Sequence, residues 1–511
     1  MQKKWFRELF RRRMLVAFLI LLQMGCMLYL IISGSRASQA VNWVLVAISL
    51  VVSLQIVSTR DKGAYKLTWV FLILLFPVFG GLLYLVFNFQ TSTKKFSRQI
   101  QAAQEMAAPL FYLPGDCFLQ AAQQAPQHVA QMRYLQQFVG FPVYGHSQTT
   151  YFPSGKAKLE RLLLELERAE RYIFLEYFIV QQGVMWDSIF QVLRRKAAQG
   201  VDVRLLYDDL GCFLLLPTDF PQQMERAGIR CAVFSPFRPM LTARQNNRDH
   251  RKIISIDGKV AFTGGINLAD EYIDVYEKHG RWKDAGIMVE GAAAWSFTLM
   301  FLQMWSLYQK QPEDFAGYYP WADGPCPQQS DGLVQPYADS PMDKENVGEH
   351  VYMQMIAGAK DYLYITTPYL IVDDSMVSAL CLAAKSGVDV RIITPHKWDK
   401  WLVHMTTRSY YRELIQGGVR IYEYTEGFIH AKTFVSDDEV ATVGTTNMDF
   451  RSLYLHFECG VWMCGSRAVG EVKSDFLQTL QVCQEITEED CRCGFFTRLA
   501  QDVIRLVAPL M

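Results

Sequence analysis

The sequence predicts an α/β protein of two duplicated halves, each a mostly parallel sheet flanked by helices, preceded by transmembrane helices. Three observations carry this. Strand–helix–strand order occurs twice, one motif recurs at a fixed offset, and three long apolar runs open the chain.

Residues 172–180 (YIFLEYFIV) are apolar apart from Glu176 and rich in aromatic and β-branched side chains, as a strand buried on both faces requires. Residues 185–198 have the spacing of an amphipathic helix ending at Gly200, and 201–207 (VDVRLLY) form the next strand. The order returns as a strand at 362–366, a helix at 374–385 and a strand at 388–394. Both helix-to-strand joints read Gly-Val-Asp-Val-Arg, at 200–204 and 387–391, and that places an internal duplication in one structural slot. Residues 311–347, rich in Pro, Asp, Gly and Gln, are a surface connection. The chain thus divides into a membrane segment (1–95), a helical connector (96–150), a first half (151–325) and a second half (326–511).

The runs at 14–32, 41–57 and 67–87 carry no charged side chain and approach the ~20 residues a helix needs to cross a bilayer. Lys3, Lys4, Arg7, Arg11, Arg12 and Arg13 precede the first run, and Arg60, Lys62 and Lys66 follow the second. The positive-inside rule then puts the N-terminus and second loop in the cytoplasm. Three crossings place the catalytic part on the outer face of a multi-pass cell-membrane protein. Pro77, Gly80 and Gly81, with Lys94, Lys95 and Arg98 beyond, leave a re-entrant path and a cytoplasmic catalytic part open.

Lys+Arg and Asp+Glu number 51 each, so bulk charge gives no support to a nucleic-acid partner. The 11 cysteines are scattered, with Cys491 and Cys493 a lone C-x-C, and neither a disulfide framework nor a metal site is expected.

The chemistry rests on a repeated constellation. His250-Arg251-Lys252 is followed by Asp257 and by Gly264-Gly265-Ile266-Asn267. His430-Ala431-Lys432 is followed by Asp437 and by Gly444-Thr445-Thr446-Asn447, every member 180 residues after its counterpart (430 − 250 = 180). His and Lys at i and i+2 project from one face of a strand, so their tips share a pocket. Lys252 and Lys432 are point charges suited to phosphate. Asn267 and Asn447, in tight turns, have amides free to donate to an anion. A neutral His attacks phosphorus and a protonated one donates to a leaving oxygen. With an ordinary pKa near ~6.5, one copy of each coexists near neutrality. The lysines supply positive charge, so no metal or cofactor is called for. Asp257 and Asp437, at strand ends, are open to two readings: turn formers, or supports of the active-site geometry.

These residues resemble the phospholipase D superfamily, whose signature H-x-K-x4-D-x6-G-(G/S/T)-x-N both copies match, over the chain from about residue 130 to the end. Trp69, Pro77, Gly80 and Tyr84 resemble the membrane-segment pattern of its bacterial cardiolipin synthase branch. Trp282 with Asp284, the stretch 447–452 and Phe457-Glu458 are similar to that branch too. The resemblance implies a ping-pong reaction without a cofactor. His250 attacks the phosphorus of phosphatidylglycerol while His430 protonates the departing glycerol. His430 then activates a second phosphatidylglycerol, which displaces the histidine and gives cardiolipin. It counts Lys252, Lys432, Asp257 and Asp437 in the catalytic set, gives the phosphate oxygens to the lysines and Asn267 and Asn447, and makes Asp284 and Glu458 orienters of the histidines. Its partners are phospholipid substrate and the bilayer. A hydrolytic phospholipase D, a transferase with another alcohol acceptor, a nuclease and a non-enzymatic scaffold are the competing readings, and oligomeric state is not readable.

Overall fold

The computed structural model describes residues 25, 36–59, 62–76, 81, 84, 91–236, 245–309 and 311–510. Internal packing divides the chain into two units, one of Met1–Lys95, Phe237–Asn246 and Asp502–Met511, the other of Phe96–Pro236 and Asn247–Gln501.

In the smaller unit, helix α1 (Arg36–Ser58) contains the second apolar run and α2 (Gly63–Leu75) the first part of the third. Val52 and Ile56 pack against Trp69, Ile73 and Tyr84, with the Trp69 and Tyr84 rings edge-on at 5.3 Å. Many other described apolar side chains, among them Trp43, Val44, Ile48, Leu54, Leu67 and Leu74, are exposed. Among the described residues no helix is long and apolar enough to cross a membrane. The run at 14–32, apart from Gly25, lies outside the described residues, as do Pro77 and Gly80.

The larger unit is built on two large sheets, with two short two-stranded pairings beside them. In the first, β1 (Ser147–Phe152), β2 (Tyr172–Tyr177), β3 (Asp202–Asp208), β4 (Arg230–Phe234), β5 (Ile253–Ile256), β6 (Val260–Gly264) and β7 (Gly286–Gly291) lie in the order β1-β7-β6-β5-β2-β3-β4. The second contains β8 (Leu333–Asp339), β9 (Tyr362–Thr366), β10 (Asp389–Pro395), β11 (Arg420–Tyr424), β12 (Thr433–Ser436), β13 (Val440–Gly444), β14 (His456–Cys464) and β15 (Cys483–Ile486), in the order β8-β14-β13-β12-β9-β10-β11-β15. The duplication read from the pentapeptide is therefore a duplication of topology: β2–β3 and β9–β10 are the same parallel pair, joined by α3 (Val184–Ala198) in one half and, after α4 (Ala294–Ser306), by α5 (Asp374–Lys385) in the other.

The sheets are mixed, not mostly parallel. Only β2–β3–β4 and β9–β10–β11 run parallel, and every other pair in the two orders is antiparallel. Parallel pairing needs a crossover helix, and the strands after each His-x-Lys are joined by tight turns that allow only hairpins. The strand expected at 172–180 also stops at Tyr177. There the backbone N–H of Ile179 turns to Asn267 Oδ1 (3.1 Å) and that of Gln181 to the Leu268 carbonyl (2.9 Å).

Helix α4 is apolar nearly all round, and Ala294 through Trp305 are buried. It packs across β2, β5, β6 and β7. Two of its hydroxyls are satisfied internally, Thr298 with Ser255 (2.7 Å) and Ser296 with Tyr144 (2.9 Å).

Candidate active site

Each histidine sits at a junction between the halves. Arg248–Asp249, from the first half, pairs in parallel with His456 and Phe457 of β14, and the His250 N–H donates to the Phe457 carbonyl at 3.0 Å. In the other copy, Gly427–Ile429 pairs in parallel with Arg281–Lys283, and the His430 N–H donates to the Lys283 carbonyl at 2.7 Å. The residue after each acceptor carries the carboxylate that meets the ring. Glu458 lies at His250 Nδ1 through both oxygens (2.9 and 3.1 Å), and Asp284 at His430 Nδ1 (2.7 Å). Each half thus supplies the orienting acid for the other half's histidine.

This changes one expectation. His250–Lys252 and His430–Lys432 are not inside strands. They are extended links between a pairing with the opposite half and the start of β5 or β12. Extended backbone still puts His and Lys on one side. Lys252 Nζ donates to the His250 carbonyl at 2.5 Å, and Lys432 Nζ lies 2.8 Å from His430 Nδ1. Both lysines, both histidines, Asp284 and Glu458 are buried.

The electrostatics follow from that burial. Desolvation first, then the positive charges of Lys252, Lys432 and His430, hold His250 well below its ordinary pKa. Desolvation and Lys432 lower His430 to about 4, against the opposing pull of Asp284. Desolvation also lowers Lys252 to about 8 and Lys432 to about 7. Both shifts favour the neutral imidazole. A carboxylate at Nδ1 accepts its proton and leaves Nε2 as the basic nitrogen.

Asn267 and Asn447 reach the site with amides already engaged. Asn267 Nδ2 donates to the Tyr272 hydroxyl (2.6 Å), and Asn447 Nδ2 to Asp449 (3.2 Å). A primary amide has two N–H groups, so one on each remains for an oxyanion.

Asp257 and Asp437 do not join the histidines. Asp257 accepts the backbone N–H groups of Glu170, Arg171 and Tyr172, each at 2.8 Å, and Asp437 those of Lys360, Asp361 and Tyr362 at 2.8–3.0 Å. These amides open β2 and β9, whereas His250 meets Phe178, just past the far end of β2, with ring centroids 4.9 Å apart. Both aspartates have φ near +55° (53° and 56°), which fits a turn after a strand. Of the two readings left open, the turn former describes this geometry.

Two neighbours, His456 and Lys158, were not singled out from the sequence, whereas Thr445 and Trp282 lie in stretches quoted above. The His456 ring lies tilted beside that of His250 (centroids 5.4 Å), and its Nε2 accepts from Arg451 Nε (3.3 Å). Its signal was its place two residues before Glu458, on the same strand face. Thr445 holds the Glu458 carboxylate through its hydroxyl. Lys158, on a helix that reads as a surface element, is fully buried beside Tyr177 (3.4 Å), and desolvation lowers it to about 7. Tyr272, Trp282 and Phe428 stand around His430 with centroids 5.6–6.1 Å away. Among the described residues His250, His456 and Glu458 have metal-ligand character, their donor atoms within 4.8 Å of one another. Lys252 and Lys432 make the surroundings cationic, and these suit an anion better.

The family model "Cardiolipin synthase, PLD-like domain" matches residues 162–291 and 352–480, the two duplicated segments that carry this site. The chain belongs to that family. A second model, "Phospholipase_D-nuclease N-terminal", matches residues 43–87. A Streptococcus mutans protein described as uncharacterized is 42% identical over 90% of this chain and 99% of its own length. The cardiolipin synthase of Geobacillus kaustophilus is 34% identical over 91% of this chain and 92% of that protein. The crystal structure of phosphatidylserine synthase from Haemophilus influenzae, 15% identical, shares the fold with a TM-score of 0.57 over 75% of this chain and all of that one. The membership covers both histidine motifs and both orienting acids: Asp284 falls in the first matched segment, Glu458 in the second.

Proposed function

We propose that the protein is a cardiolipin synthase, a phosphatidyltransferase that joins two phosphatidylglycerols and releases glycerol. The observation that carries the reading is the pair of imidazoles, each clamped at Nδ1 by an acid from the opposite half. His250 Nε2 attacks the phosphorus of one phosphatidylglycerol and forms a P–N bond as the P–O bond to the headgroup glycerol breaks. His430, protonated once the anion is bound, gives its proton to the departing glycerol oxygen. Neutral His430 then takes the proton from the headgroup hydroxyl of a second phosphatidylglycerol. That oxygen attacks phosphorus, the P–N bond breaks, and cardiolipin forms. Lys252, Lys432, Asn267 and Asn447 hold the phosphate oxygens as charge builds in the transition state. Glu458 and Asp284 fix the ring tautomers, and Asp257 and Asp437 tie the strand ends without touching substrate.

The same proposal includes membrane anchorage, with the runs at 14–32, 41–57 and 67–87 as spans and the catalytic part on the outer face. The exposed apolar faces of α1 and α2 support it, since water is a poor neighbour for so continuous a surface. The division at residues 95, 150 and 325 belongs to it too. Purified protein given headgroup-labelled phosphatidylglycerol is expected to yield cardiolipin and labelled glycerol. Phosphatidic acid as the main product would make it a hydrolase instead, and transfer only to another alcohol would change the acceptor.

A further inference from the structure

Helix α6 (Phe495–Val507) is divided lengthwise by chemistry. At 100° per residue, Phe495, Leu506, Leu499, Val503, Phe496, Val507, Ala500 and Ile504 occupy one continuous arc of about half the circumference. Thr497, Gln501, Arg505, Arg498 and Asp502 fill the other half. A helix so patterned ordinarily buries its apolar arc in the protein. Here Phe495 is 74% exposed, Phe496 84%, Leu499 50% and Val503 52%. Its last turns are held differently. The Leu506 carbonyl accepts from Thr68 Oγ1 of α2 (2.7 Å), and Ala508 and Pro509 just beyond are buried against α2. Helix α2 itself leaves Leu67, Phe71, Leu74 and Leu75 exposed. Val503, on the same arc, belongs with α1 and α2 to the smaller unit, and an uncovered apolar surface on each calls for the same kind of cover.

We propose that α6 lies in the membrane interface, its apolar arc among lipid acyl chains and its polar arc at the headgroups. Two arginines against one aspartate on that polar arc favour anionic lipid, the class to which phosphatidylglycerol belongs. The inference rests on the membrane association proposed above and adds a contact that no apolar run of the sequence supplies.

The test uses the full-length chain in phosphatidylglycerol-containing vesicles, with a benzophenone-bearing amino acid replacing Phe496, Leu499 or, as the polar-arc control, Gln501. After irradiation, mass analysis is expected to find phospholipid adducts at 496 and 499 several-fold above those at 501. Covalent dimers or links within the chain in place of lipid adducts, equal adducts at all three positions, or no adducts would each overturn the inference. Product formation is measured in the same vesicles. Cardiolipin without lipid adducts defeats this inference alone, and adducts without cardiolipin defeat the functional reading alone.

Discussion

The two histidines occupy equivalent places in a duplicated fold, yet their surroundings differ. Around His250 the orienting acid is itself held: both Glu458 oxygens meet Nδ1, the Thr445 hydroxyl fixes the carboxylate, and His456 stands beside the ring. Around His430 the acid shares the nitrogen with a lysine, and the ring is enclosed by Tyr272, Trp282 and Phe428. The glycine turns diverge to match. A Cβ at Gly265 would stand 2.0 Å from Asp284 Oδ1, so the first copy keeps glycine where the second has Thr445. Duplication preserved the positions and let the partners specialise. A tightly locked ring suits a nucleophile, while a ring in contact with Lys432, whose pKa is near 7, suits proton exchange.

The most severe way to test this division is to remove either ring. His250→Ala and His430→Ala are each expected to lower turnover by about 10³-fold or more, measured as cardiolipin formed per folded protein. Substantial activity in either variant would refute the shared site. Glu458→Gln and Asp284→Asn probe the crossed clamps, and each should lower kcat by roughly 10²-fold or more with KM little changed. Gly265→Ala should approach the Asp284→Asn loss, because the methyl group meets that carboxylate. Thr445→Gly removes one charge-assisted hydrogen bond and should cost about ten- to a hundredfold. A Thr445→Gly loss larger than that of Gly265→Ala would contradict the account of the turns.

The aspartates are predicted to behave alike, since their three-amide geometry is the same in both halves. Asp257→Ala and Asp437→Ala should each lower stability by about 2–4 kcal/mol in chemical denaturation, with kcat per folded molecule nearly unchanged. The smallest effect concerns pH. His430 has a folded-state pKa of about 4, below the unfolded value near ~6.5, so the unfolded chain binds more protons between them. Stability from the neutral ring is present above pH ~6.5 and is lost as pH falls toward 4. His430→Gln should flatten the stability–pH slope in that window.

The histidine and lysine pairs of the candidate site were legible because they repeat: a motif at a fixed offset is visible without any structure. Strands 362–366 and helix 374–385 were legible because apolar pattern and turn residues agree there. The antiparallel majority of each sheet was not, since periodicity shows that a strand exists but not which neighbour it pairs with. The crossed clamps were hidden for the same reason. Asp284 and Glu458 came from the family resemblance, but which ring each serves depends on pairings between segments over a hundred residues apart. Lys158 was invisible because a lysine on an amphipathic helix reads as solvent-facing, and only the packed sheet beneath it shows otherwise. His456 lacked a repeated partner, and its place two residues before Glu458 was the one mark it carried.

The central claim is that two imidazoles from opposite halves act in turn on one phosphorus, with His250 carrying the phosphatidyl group. The most direct measurement mixes the protein with labelled phosphatidylglycerol, denatures it within a turnover at alkaline pH, where a phosphoramidate survives, and maps the label by mass. The account predicts a phosphatidyl adduct on His250, absent from His250→Ala. An adduct on His430 instead, or cardiolipin made at full rate with no protein-bound label at any time, would contradict it.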